Sequence, residues 1–189
     1  MGGNIEKPVL RIARKTMLQH VIDALRPVGA IDRIIVATSA ITPQTSIEAS
    51  RLGVETFLTP GDGFEEDMRY VIQKLGLQDV LVVSADLPMI KTEIIREAVQ
   101  RYYHAGKPAL AVMAKAEDYE RLDVKPQHIF KVDGQKLSAV GINLIDGRRI
   151  GEGELDQEVL TLSSQNLLLN VNTPQELELA RKRSMSLGK

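Results

Sequence analysis

From Met17 to Met113 the chain alternates short apolar, β-rich runs with amphipathic runs of helical period, and this alternation most narrows the folds open to it. Arg33–Thr38 and Asp79–Ser84 are almost continuously apolar, the pattern of parallel strands buried on both faces. Val54–Leu58 and Ala109–Met113 are shorter strand candidates. Between them, Thr16–Pro27 places Met17, Val21 and Leu25 on one helix face, with Thr16 positioned to cap its start. Thr42-Pro43 opens a second helix with a cap and a proline at the first helical position. Phe64–Leu75 and Thr92–His104 follow, the latter closed by Gly106. The order predicts an α/β fold, Rossmann-like and doubly wound, on a mixed but mostly parallel sheet.

The second half reads differently. Ile129–Val132, Val140–Ile145, Glu158–Leu162 and Leu167–Val171 are strand-like with short connections, which predicts an antiparallel or mixed extension of the same sheet. Thr173-Pro174-Gln175-Glu176 is a capping box with proline at the first helical position, so the chain is expected to close on a helix. With no repeat, low-complexity tract or clear linker, residues 1–189 read as one domain.

Composition excludes several classes of function. Lys plus Arg total 24 against 25 for Asp plus Glu, so the basic excess of a general nucleic-acid binder is missing. The chain has no cysteine, which removes disulfides, thiolate metal sites and a cysteine nucleophile. No apolar run approaches the roughly 20 residues that span a bilayer, and the first residues lack a signal-peptide core. A cytoplasmic protein without membrane or nucleic-acid partners is the expectation, its oligomeric state open and a homodimer included.

Chemistry is expected beyond the carboxyl ends of the strands, where open α/β sheets bind ligands. Asp86, in Ser84-Ala85-Asp86-Leu87-Pro88, follows the run Val80–Val83 and would project at that edge. A carboxylate there suits Mg²⁺, which keeps several waters and shares phosphate oxygens with a substrate; the alternative is a carboxylate that merely turns the chain. In Leu169-Asn170-Val171-Asn172-Thr173-Pro174, alternation sends Asn170 and Asn172 to the same side, where two amides could complete a metal or phosphate site. Gly2 and Gly3 would let backbone amides approach phosphates, with Lys7 as a nearby cation. Gly61-Asp62-Gly63 opens a helix whose acidic first turn, Glu65-Glu66-Asp67, repels anions, so Gly63 reads as part of a substrate-side or base-side loop. His20, His104 and His128 are isolated, and neither a Gly-x-Ser-x-Gly elbow nor a complete P-loop is present.

Together these motifs resemble the nucleotidyltransferases related to molybdenum-cofactor guanylyltransferase and the sugar-phosphate nucleotidylyltransferases. Met1-Gly2-Gly3, Glu6-Lys7-Pro8, Ser84-Ala85-Asp86-Leu87-Pro88 and Asn170-Val171-Asn172-Thr173-Pro174-Gln175-Glu176-Leu177 fall in that family's order. Ile35-Val36-Ala37-Thr38-Ser39, Gly61-Asp62-Gly63-Phe64-Glu65-Glu66-Asp67-Met68 and Ala139-Val140-Gly141-Ile142-Asn143 are most similar to the archaeal GTP:adenosylcobinamide-phosphate guanylyltransferase subfamily. The resemblance implies a nucleotide-diphospho-sugar transferase type of fold, and transfer of GMP from GTP to adenosylcobinamide phosphate with release of pyrophosphate. It implies Gly2, Gly3, Lys7, Gly63 and Asp86 as nucleotide contacts, Lys7 and Asp86 as catalytic residues, and Mg²⁺ on Asp86, Asn170 and Asn172. Gly141 and Asn143 would be acceptor-side or ribose contacts.

The family's opening strand and the front of its Gly-rich loop have no counterpart in the chain. A sheet lacking a central strand, with neighbouring edges unpaired, is therefore expected, along with weakened or absent GTP binding. The alternatives are transfer to another phosphorylated acceptor (a molybdopterin, phospholactate or a sugar phosphate) and a nonenzymatic nucleotide-binding module.

Overall fold

The computed structural model describes residues 5–122, 124–126 and 128–187. After a 3₁₀ turn at Lys7–Val9, a short hairpin pairs β1 (Arg11–Ile12) with β2 (Lys15–Thr16). Then α1 (Met17–Leu25), β3 (Ile35–Thr38), α2 (Pro43–Arg51), β4 (Glu55–Leu58), α3 (Phe64–Leu75), β5 (Asp79–Val83), α4 (Thr92–Ala105) and β6 (Ala109–Lys115) realise the expected alternation. The remainder comprises α5 (Ala116–Glu120), β7 (Phe130–Val132), β8 (Gln135–Asp146), β9 (Gln157–Thr161) and α6 (Pro174–Leu187). No helix among the described residues is long and apolar enough to cross a membrane.

The sheet is mixed, as expected, but its pairing is less parallel than the sequence suggests. β3 pairs with β4 in parallel, while the larger sheet runs β5-β8-β6-β9, with β7 on β8. β8 does not extend that sheet; it inserts antiparallel between β5 and β6, and β9 then joins β6 in parallel. Its 12 residues let one strand serve both neighbours and still fold back on β7.

Leu167–Val171 is not a strand. It joins no ladder among the described residues: the Leu167 amide turns back on the Ser164 carbonyl at 2.9 Å, and the Val171 amide donates to the Asp86 carbonyl in the turn after β5. Burial also departs from expectation at β5. Residues Ala109–Ala114 of β6 are buried throughout, whereas Val80–Val83 are only half-buried. Among the described residues β5 pairs only with β8, and β3 only with β4, so each keeps one edge without a ladder.

Local chemistry fixes some helix ends but not the start of α2. The Thr16 hydroxyl accepts the Gln19 amide at 3.1 Å, capping α1, and Gly106 closes α4 in the left-handed region at φ +63°. Thr42, expected to cap α2, instead turns back on Ser39, accepting its amide at 2.8 Å and donating to its carbonyl at 3.1 Å. The cap comes from a distant residue, Glu6. The main core joins Met17 and Val21 of α1, Ile95 and Ala98 of α4, Val112 of β6, Ile142 of β8 and Ala180 of α6. A second cluster sets Leu18 and Ile22 of α1 against Ala49 of α2, with Val36 of β3 packed on it.

Candidate active site

The turn after β5 carries Asp86 between half-buried Ala85 and fully buried Leu87, so the chain direction is fixed on both sides of the carboxylate. The extended segment before α6 is bound to this turn: the Val171 amide donates to the Asp86 carbonyl at 3.0 Å. Leu169 and Val171 point into the core, which turns Asn170 and Asn172 outward on the same side, as their spacing implied. The Asn170 amide Nδ2 lies 3.5 Å from Asp86 Oδ1, a long contact. Burial pushes the Asp86 carboxyl above its usual range; Lys7 pulls it back, as does its own backbone amide. Glu176 raises it again, and the Asn170 amide lowers it.

Lys7 reaches the same place from the other end of the chain. Its Nζ donates to Asn172 Oδ1 at 2.8 Å, so Asn172 holds the lysine in this structure. The preceding residue anchors the segment: the Glu6 carboxylate accepts the Gln44 amide at 2.8 Å, the Thr45 amide at 2.7 Å and the Thr45 hydroxyl at 2.6 Å. These are the amides exposed at the start of α2, so Glu6 is that helix's cap. On the far side, Glu176 Oε2 accepts the amides of Asn172 and Thr173, each at 2.8 Å, while Thr173 Oγ1 accepts the Glu176 amide at 3.2 Å. The expected capping box thus fixes the backbone that presents both asparagines.

The structure therefore brings together Lys7, Asp86, Asn170 and Asn172. Gly141 is close by, with its carbonyl accepting the Ser84 amide at 2.8 Å. Its φ is +83°, and a Cβ there would meet Ser84 Oγ at 2.7 Å, so glycine is required by the packing of the Asp86 turn itself. Asn143 sits deeper, opposite Val82 of β5 and Ala111 of β6. Gly63 lies apart, at the start of α3 (φ +132°). Its loop approaches Ser39 after β3 through Gly61, whose amide donates to Asp67 Oδ1 at 2.9 Å. Gly2 and Gly3 lie outside the described residues.

Two features had no readable signal. Glu6 lies inside a recognised motif, but its partners on α2 are far away in the chain. Lys125 lies in an aperiodic stretch after α5 and lines a small cleft with Asn170, Asn172 and Glu176. Among the described residues no group of three His, Asp or Glu gathers to hold a metal. The oxygens available to a hard cation are those of Asp86 and the asparagine amides. One partly buried carboxylate fits Mg²⁺, which takes one or two carboxylates and completes its shell with water and phosphate; Asn170 presents its Nδ2 to Asp86 and the Asn172 oxygen holds Lys7, so either amide would have to turn to ligate.

Comparison with known proteins bears on the family and the fold. Residues 1–179 match the MobA-like NTP transferase domain family. The chain is 29% identical over 189 residues to adenosylcobinamide-phosphate guanylyltransferase of Methanocaldococcus jannaschii, covering 95% of this chain and 89% of that protein. Among solved structures it is similar to CMP:2-keto-3-deoxy-manno-octonic acid synthetase complexed with CTP, at TM-score 0.75 and 17% identity, covering 96% of this chain and 92% of the other. HddC from Yersinia pseudotuberculosis gives TM-score 0.73 at 11% identity, covering 97% and 92%. A third, 4-diphosphocytidyl-2C-methyl-D-erythritol synthase, gives 0.67 at 18% identity, covering 93% of each chain. The nucleotide-diphospho-sugar transferase type of fold is thus shared, and with the family matched over nearly its whole length, the chain belongs to the MobA-like NTP transferases and is a nucleotidyltransferase.

Proposed function

We propose that this chain transfers GMP from GTP to the phosphate of adenosylcobinamide phosphate, releasing pyrophosphate. The observation that carries the reading is the Lys7–Asn172 hydrogen bond of 2.8 Å, which sets a cation beside Asp86 at the carboxyl edge of the sheet. The guanylyltransferase relative supplies the substrate pair. In the reaction an oxygen of the acceptor's phosphate attacks the α-phosphorus of GTP. The bond to the α,β-bridging oxygen breaks, and pyrophosphate leaves with the electron pair.

Lys7 offsets charge on the triphosphate as that bond breaks, exchanging its hydrogen bond to Asn172 for one to a phosphate oxygen. Asp86 and Asn170 would hold Mg²⁺, with the Asn172 oxygen available once Lys7 has turned; bound there it would neutralise phosphate charge. The chain's remaining task is positioning: Glu6 fixes Lys7 from one side, and Glu176 fixes the asparagines from the other. Gly141 and Asn143 form the acceptor-side floor, and the Gly63 loop flanks the guanosine.

The test follows pyrophosphate release from the purified chain with GTP, Mg²⁺ and adenosylcobinamide phosphate. Each component is exchanged in turn: ATP or CTP for GTP, and a molybdopterin, phospholactate or a sugar phosphate for the acceptor. Release dependent on GTP and the cobinamide acceptor supports the proposal. Equal or faster turnover with another acceptor would replace it.

A further inference from the structure

Lys7 and a metal at Asp86 would claim the same oxygen. Among the described residues the Lys7 ammonium makes one hydrogen bond, donated to Asn172 Oδ1 at 2.8 Å, and its charge attracts the Asp86 carboxylate. The nucleotide-free chain thus sets a cation of its own beside two of the groups that would hold Mg²⁺. The backbone leaves little room for compromise. The Glu6 carboxylate accepts the Gln44 and Thr45 amides of α2 and fixes the chain at Lys7, while Glu176 accepts the amides of Asn172 and Thr173. Only the two side chains are free to part.

Mg²⁺ takes its oxygen ligands at about 2.0–2.1 Å. On Asn172 Oδ1 it would stand no more than about 5 Å from an ammonium still bonded there. Like charges at that range repel strongly, even with solvent around them. The amide oxygen therefore serves the lysine or the metal, but not both. A triphosphate removes the conflict, because its oxygens accept from a lysine and ligate a metal at the same time. We propose that Lys7 is a latch on Asn172, which keeps Mg²⁺ off the site until a nucleoside triphosphate draws the ammonium away. The latch rests on the metal and nucleotide roles proposed above. It couples the two ligands: each favours the state with Lys7 released, so each raises the affinity for the other.

The experiment titrates Mg²⁺ alone into the nucleotide-free full chain, following the backbone amide resonances of Ala85, Asp86 and Asn170. Wild type is compared with Lys7→Met, which keeps the length of the side chain and removes its charge, with Asn172→Ala, and with the double variant. Loss of the competing hydrogen bond predicts a Kd for Mg²⁺ lowered at least about fivefold in Lys7→Met. In the Asn172→Ala background the same substitution should change it by less than about twofold. GTP titrated in EDTA should move the opposite way, its Kd raised at least about fivefold by Lys7→Met. A lysine that merely supported the fold would weaken both ligands together. Unchanged Mg²⁺ affinity in Lys7→Met, or an equal gain with Asn172→Ala, overturns the latch; so does GTP bound equally by wild type and Lys7→Met. In each case Mg²⁺ binding that Asp86→Asn abolishes leaves the metal reading standing. If no variant binds Mg²⁺, the metal reading and the latch fail together.

Discussion

A carboxylate held partly out of water raises the energy of its own charged form, and Asp86 is such a group. The fold bears this cost at the turn where Lys7, Asn170 and Asn172 converge, which is what the proposed metal role requires. Asp86→Asn should therefore reduce Mg²⁺-dependent transfer by about 10²–10³-fold, with an unfolding midpoint no lower than wild type. A mutant that turns over like wild type would refute the metal assignment. Gly141 makes the opposite prediction. Its φ of +83° and the 2.7 Å approach of Ser84 Oγ leave no room for a Cβ, so Gly141→Ala should destabilise the chain by about 1–3 kcal/mol in denaturant unfolding. Lys7, Asp86, Asn170 and Asn172 were legible in the sequence because each lies in a short motif whose meaning is local. The task of Gly141 was not, since it depends on a neighbouring turn across a strand pair.

The elements show the same division between local and distant information. Helices α1, α3 and α4 were readable from periodicity and end signals, and the capping box before α6 is present atom for atom. The insertion of β8 between β5 and β6 was not readable, because alternation reports which face a side chain takes and says nothing of which strand lies alongside. The cap of α2 escaped for a related reason: Thr42 has the right chemistry in the right place, yet Glu6 supplies the bonds. Partial burial disfavours the charged form of Glu6, but the bonds from the Thr45 hydroxyl and the Gln44 and Thr45 amides outweigh it and hold its carboxyl below the usual glutamate range. Its contribution to stability is therefore present above about pH 4.5 and is lost as the pH falls through the lower folded value. Glu6→Ala should cost about 0.5–1 kcal/mol at pH 7, near the low end for a cap because the carboxylate is partly solvated. The difference from wild type should shrink as the pH is lowered below about 4.5, measured by urea titration at pH 7 and at a series of acidic values. A cost that stays constant down to full protonation of Glu6 would assign it to packing instead of to the charged cap.

At the scale of the whole molecule, the β3–β4 pair and the five-stranded sheet need something other than a ladder to hold them together, since among the described residues β3 and β5 share none. Helix α1 does this with its two faces. Met17 and Val21 enter the main core with β6, β8 and α4, whereas Leu18 and Ile22 enter the smaller cluster with Ala49 of α2 and Val36 of β3. The asymmetry in cluster size implies an asymmetry in stability, because a unit held by few buried side chains opens at lower free energy than one held by many. The β3–α2–β4 unit should accordingly exchange its amide hydrogens faster than β5, β6 and β8. Ile22 is 1% exposed, so Ile22→Ala should cost about 2–5 kcal/mol locally. That cost should fall on β3 and β4 amides such as those of Val36 and Phe57, while Val112 and Ile142 keep most of their protection. The consequence reaches the site, because Glu6 is bonded to α2 and Lys7 is placed by Glu6. Loosening the small unit should raise the KM for the nucleotide before it alters the acceptor side. Uniform loss of protection across both sheets would show instead that α1 locks the molecule into one cooperative unit.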